Sequence, residues 1–142
     1  MAEAVPETIR RWHRIALEKR ADDLAGILAE GCVFESPVVH TPQAGAAITE
    51  KYLRGALAVL NTEHFRYGAE WYGPRSAVLE FYSEVDGVKI NGVDIISWND
   101  EGLITHFKVM VRPLKAINKL HEKMGAYLVS IGAVPASAMQ KG

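Results

Sequence analysis

The residue in this 142-residue chain best suited to proton chemistry is Asp94, set in Lys89-Ile-Asn-Gly-Val-Asp-Ile-Ile-Ser-Trp98 among residues that read as the middle of a buried strand. An ionised carboxylate in such a place is costly without partners. The fold must therefore compensate the charge or use it. Facing an apolar cavity, the carboxyl would be pushed up the pH scale and could donate a hydrogen bond or move a proton near neutral pH. A structural acid held by a neighbouring strand or helix end is the competing reading.

Other chemistries find less support. His13, His40, His64, His106 and His121 are dispersed, with no i,i+4 pair of the zinc-binding kind, so no metal is expected. His40, beside Pro42, is the one histidine placed at a possible cavity mouth. Cys32 is a lone cysteine without a nearby histidine signature, and reads as a buried apolar residue. The chain has no Gly-x-Ser-x-Gly elbow and no phosphate-cradling glycine loop. No cofactor is expected.

Size and composition bound the partners. The chain is one domain, spanning 1–142 with a core over about 6–130, and is too short for a cofactor domain beside a substrate domain. With 49% hydrophobic and 23% charged residues and a net charge of −1, it shows neither the signature of disorder nor a nucleic-acid footprint. One cysteine excludes an internal disulfide framework. The acidic start Met-Ala-Glu-Ala-Val-Pro-Glu lacks the regions of a signal peptide, and no apolar run reaches the ~20 residues that span a bilayer. The expectation is a cytoplasmic protein without membrane contact.

These residues need elements to position them. Val5, Ile9, Trp12 and Ala16 draw one face of a helix over about 6–20, opened by Pro6. Asp22-Asp23 cap a short second helix carrying Leu24, Ile27 and Leu28 and ended by Glu30-Gly31. Cys32 to Val39 reads as a strand, and Ile48, Tyr52, Ala56 and Leu60 set a third helix. From Glu63 to Arg112 the chain reads as strands. Phe65, Tyr67, Ala69 and Trp71 alternate, as do Ala77, Leu79, Phe81 and Ser83. Turns are expected at Gly73-Pro74, Asp86-Gly87 and Asn99 to Gly102. A closing helix runs over about 114–130, followed by a loose tail after Gly132. Helices followed by antiparallel strands give an α+β roll, a cone of helices on one face of a curved, mostly antiparallel sheet. A cavity between the layers is the natural ligand site.

The element order, with Phe34-Glu-Ser-Pro-Val38, Gly45-Ala-Ala-Ile48, Gly92-Val-Asp-Ile-Ile-Ser-Trp98 and Glu101-Gly-Leu-Ile104, resembles the NTF2-like superfamily. Its members include SnoaL-like polyketide cyclases, ketosteroid isomerases and limonene epoxide hydrolases. The Ser36-Pro37-Val38, Pro42 and Gly45 spacing resembles that of ketosteroid isomerase, where an aspartate before the proline is the base. This chain has Ser36 there. The resemblance puts the oxyanion-hole tyrosine at Trp12, its protonated aspartic acid at Asp94 and a supporting tyrosine at Tyr52. The last carboxylate of the epoxide hydrolase triad falls on Val109. The chain therefore resembles uncharacterised SnoaL-like proteins, which implies Asp94 as catalytic and Trp12, Phe34, Ser36, Val38, Tyr52, Leu79, Phe81, Phe107 and Val109 as the pocket lining.

Three functions stay open at this point. The first is cofactor-independent acid/base catalysis on a small hydrophobic molecule. The others are non-catalytic binding of such a molecule and an interaction module with a vestigial cavity. The outer sheet face, with Glu80, Tyr82, Glu84, His106, Lys108 and Met110, is expected to form a homodimer, as is common in this superfamily.

Overall fold

The computed structural model describes residues 4–132, so the tail expected after Gly132 lies outside the described residues. Helix α1 (Glu7–Leu17) buries Ile9, Trp12, Ile15 and Ala16 on one face, as their spacing requires. A 3-10 turn (Ala21–Gly26) follows. Then come strands β1 (Leu28–Glu35) and β2 (Gln43–Ala44), helix α2 (Ala46–Leu60), strands β3 (Arg66–Tyr72), β4 (Ser76–Val85), β5 (Val88–Trp98) and β6 (Ile104–Arg112), and helix α3 (Leu114–Ser130). Among the described residues, no helix is long and apolar enough to cross a membrane.

The strands form one sheet in the order β2-β1-β6-β5-β4-β3. All neighbours are antiparallel except β1 and β6, which run parallel. Along β4 and β5 burial alternates residue by residue, so one face carries the core under the helices and the other faces outward. The β4–β5 connection is Asp86-Gly87, with φ of +50° and +79°. Both values suit the primed two-residue turn that matches strand twist. Thr8 on α1 donates through Oγ1 to the Gly102 carbonyl at 2.9 Å, which ties the first helix to the β5–β6 turn. Gly92 keeps β5 bare where Phe81 crosses it, since a Cβ there would sit 2.6 Å from both Phe81 Cζ and the Met110 carbonyl.

Three sequence expectations are corrected. The Leu28 to Gly31 segment does not end a helix. It belongs to β1, with Leu28 opposite Ile104 and a register irregularity before Val33, and the Ile104 amide donates to the Ile27 carbonyl at 2.8 Å. Pairing with β6 outweighs the capping signal of Glu30-Gly31. At its other end β1 stops at Glu35, because Ser36 Oγ accepts the amides of Val38 and Val39 and turns the chain away.

In β3 the alternation of Phe65, Tyr67, Ala69 and Trp71 breaks at a bulge between Tyr67 and Glu70. Beyond it Glu70 and Tyr72 pair with the inward Leu79 and Ala77. Trp71 turns outward and is 58% exposed. One extra residue inverts the phase of everything after it.

Candidate active site

Asp94 lies on the inward row of the sheet, opposite Leu79 on β4 and Val109 on β6. It is 6% exposed. Its Oδ2 accepts the Tyr67 hydroxyl at 2.8 Å, and that hydroxyl oxygen accepts the Trp12 indole N–H at 2.7 Å. The direction of this chain is fixed by chemistry. An indole can only donate, so the Tyr67 oxygen must accept from Trp12 and spend its own proton on Asp94. Among the described residues no protein donor reaches Asp94 Oδ1.

Burial raises the Asp94 carboxyl to about 7, because the apolar wall disfavours the ionised form. The Tyr67 hydrogen bond opposes the rise, and the negative charge of Glu70 adds to it. The Tyr67 phenol is itself held well above its ordinary range, first by burial and then by the charge of Asp94. Tyr67 therefore stays a donor throughout the neutral range.

The space beside Asp94 is a cavity of about 30 Å³, room for about two water molecules. Its walls are Trp12 from α1, Leu53, Ala56, Leu57 and Leu60 from α2, Asn61, Phe65 and Tyr67 leading into and along β3, Phe81, Phe107 and Val109. Phe65 stacks on Phe81 with ring centroids 5.8 Å apart and meets Tyr67 edge-on at 5.2 Å. It also borders an open cleft lined by Glu63, Arg66, Tyr82, Lys89 and Arg112. Asn61 Nδ2 donates to the Ala16 carbonyl at 2.6 Å, closing α2 against α1.

Of the residues expected at the site, Asp94, Trp12, Phe81, Phe107 and Val109 come together around this cavity. Phe34, Tyr52 and Leu79 lie outside its lining. Phe34 stacks on Tyr52 at 5.5 Å and leans on Phe107 at 6.2 Å, in the core next door, and Leu79 is wholly buried between Glu70 and Asp94. Val38 packs on the margin of the core. Ser36 and His40 line a separate surface recess with Glu35 and Lys108, because the turn at Ser36 carries them away from the cavity. Sequence reasoning did not assign Tyr67, Asn61, Phe65 or the α2 residues Leu53, Ala56, Leu57 and Leu60 to the site. The alternation of Phe65 and Tyr67 was the available signal, since it sets both on the inward face.

Fold and site together define a cone-shaped α+β domain with a single buried acid at an apolar cavity. A steroid delta-isomerase from Pseudomonas aeruginosa has a similar crystal structure, 36% identical, with a TM-score of 0.84 over 89% of this chain and 93% of that one. An uncharacterised bacterial protein with a cystatin-like fold from Silicibacter pomeroyi is 28% identical, with a TM-score of 0.81 over 87% and 86%. An NTF2-like protein of unknown function from Mesorhizobium loti, at 21% identity and a TM-score of 0.66 over 75% and 89%, shares the fold. No family profile and no curated protein matches the chain. The chain belongs to the NTF2-like superfamily, as a SnoaL-like member.

Proposed function

We propose that this protein is a cofactor-independent acid/base enzyme of isomerase, cyclase or lyase type, acting on a small hydrophobic molecule through Asp94. One observation carries the reading. Asp94 is the single carboxyl among the cavity-lining residues, buried, anchored at one oxygen and balanced near neutrality. Near pH 7 both of its forms are populated. The ionised form takes a proton from the ligand through Oδ1, while Tyr67 stabilises the charge on Oδ2. The protonated form donates to a ligand oxygen or returns the proton to a neighbouring atom. Trp12 holds the Tyr67 hydroxyl in the orientation that both steps need. The likeness to the Pseudomonas isomerase supports proton transfer as the reaction class.

The cavity of about 30 Å³ is too small for a ring compound, so turnover requires Phe65 and α2 to give way. That narrowness favours a second reading, an interaction module in which the cavity is only core. Both readings meet one experiment, in which a panel of cyclic enones, epoxides and polycyclic esters is incubated with wild type and Asp94→Asn. Conversion by wild type that is lost in Asp94→Asn, with the fold intact, supports the enzyme. Conversion unchanged in Asp94→Asn refutes the role of Asp94, and binding or conversion of no panel member supports the module.

A further inference from the structure

Beside Tyr67 lies a second ionisable cluster, which the proton transfer just described does not use. Glu70 pairs with Leu79 and Leu79 with Asp94 along the inward row, so two carboxylates share one face of the sheet with a single leucine between them. Two strand spacings separate their backbones by about 10 Å. His13 Nε2 stands 2.7 Å from Glu70 Oε2, and the Tyr72 hydroxyl donates to Glu70 Oε1 at 2.6 Å. The His13 ring lies tilted on the Tyr67 ring, with centroids 5.4 Å apart. The Glu70 side chain is 12% exposed and that of His13 23%, so His13 is the more solvent-accessible of the pair.

The surroundings of Asp94 leave few other charges to consider. β3 presents Tyr67 and Glu70, and α1 presents Trp12 with His13 beside it. β4 offers Leu79 and Phe81, β6 offers Phe107 and Val109, and α2 with its exit offers Leu53, Leu57 and Asn61, none of them ionisable.

We propose that Glu70 and His13 are a positioning pair for Asp94: Glu70 seats His13 against the Tyr67 ring and supplies a negative charge facing Asp94, which a proton on His13 cancels. The argument is electrostatic and steric. A like charge on the same face favours protonated Asp94, and a cation beside that charge removes the preference. The seating of His13 also packs Tyr67 from the side, which keeps its hydroxyl on Asp94 Oδ2. The catalytic meaning of this coupling rests on the function proposed above, but the coupling itself does not.

The test is a 13C NMR titration of the Asp94 carboxyl, assigned by its absence in Asp94→Asn, in wild type, Glu70→Gln, His13→Gln and the double variant. Glu70→Gln is expected to lower the Asp94 midpoint by about one pH unit, the size given by two charges spaced as their backbones are, ~10 Å, at an effective dielectric constant of ~20. His13→Gln should raise the midpoint, and the double variant should follow Glu70→Gln. If Glu70→Gln alone fails to fold, the double variant carries the test, since two glutamines can replace the ion pair by an amide hydrogen bond. An Asp94 midpoint unmoved in folded Glu70→Gln or in the folded double variant overturns the proposal. So does a loss of stability in all three variants without movement of that midpoint. Turnover unaffected by Asp94→Asn would refute the enzyme reading alone, leaving the midpoint shifts to decide the coupling.

Discussion

Replacing Asp94 by asparagine keeps the shape of the side chain and removes its titration, so the stability difference between the two proteins isolates one group. In the unfolded chain the carboxyl has its ordinary value of 3.8, and in the folded protein about 7. The folded state binds this proton more tightly, so stability falls as pH rises. The contribution is fully present below about pH 4 and is lost as pH climbs through about 7. A gap of about three pH units, at about 1.36 kcal/mol each, corresponds to about 4 kcal/mol. That is a large share of the roughly 5–15 kcal/mol available to a domain of this kind.

Urea unfolding from about pH 4 to about pH 8.5, followed by the fluorescence of the buried Trp12 and Trp98, measures it. Subtracting Asp94→Asn from wild type removes most titrations common to both. The difference should fall by about 4 kcal/mol between about pH 4 and about pH 7 and level off above that. Two curves parallel to within about 0.5 kcal/mol would refute the reasoning, because Asp94 would then be solvated or ionised throughout.

Tyr67→Phe should raise the Asp94 midpoint above about 7, since the lost hydrogen bond is the contribution that holds it down. It should also cost about 1–3 kcal/mol by stranding the Trp12 N–H, and carboxyl NMR with urea unfolding checks both. Phe65→Ala should join the small cavity to the neighbouring cleft and increase uptake of an apolar fluorescent dye severalfold, at a cost of about 1–3 kcal/mol for a half-buried ring. Unchanged dye binding would show that Phe65 does not control access. The outer sheet face, where Trp71 is 58% and Met110 52% exposed, is expected to pair two copies of the chain. Light scattering should give a dimer mass for wild type and a lower mass for Met110→Glu, and a monomeric wild type at micromolar concentration would count against the pairing.

The α+β architecture was legible because its signals were local. The inward set Ala77, Leu79, Phe81 and Ser83 alternates without interruption, and Asp86-Gly87 marks its own turn. Asp94 stood out for the same reason, as a charge out of place in a period-two pattern. Its partner did not. Tyr67 reaches Asp94 across β4, and nothing in either local sequence states that two strands separated by a third will share a hydrogen bond. Glu70 was hidden by the bulge after Tyr67. Gly68, within a strand, is a local hint of a break in phase, and the alternation of Phe65, Tyr67, Ala69 and Trp71 masks it. Ser36 is set toward the cavity by a resemblance that fixes residue spacing, and His40 by its place in the loop beside Pro42. The direction of the chain after β1 depends on the Ser36 side chain taking the amides of Val38 and Val39.

The parallel pairing of β1 with β6 has a kinetic consequence. Strands β3 to β6 follow one another as a meander and can form from neighbouring segments, whereas β1 finds its partner only when the chain has been built as far as residue 112. Contacts of such long sequence separation are slow to close. Helix α1, tied to the β5–β6 turn through Thr8, has no sheet to settle on before then. On β5, Asp94 already belongs to the meander while its carboxyl is still hydrated. We expect the arrival of α1, with Trp12, to be the step that strips this water. The charge on Asp94 would then act as a brake on the last stage of assembly, tightening as the medium becomes more alkaline, and stopped-flow refolding that showed no such slowing with pH would rule it out.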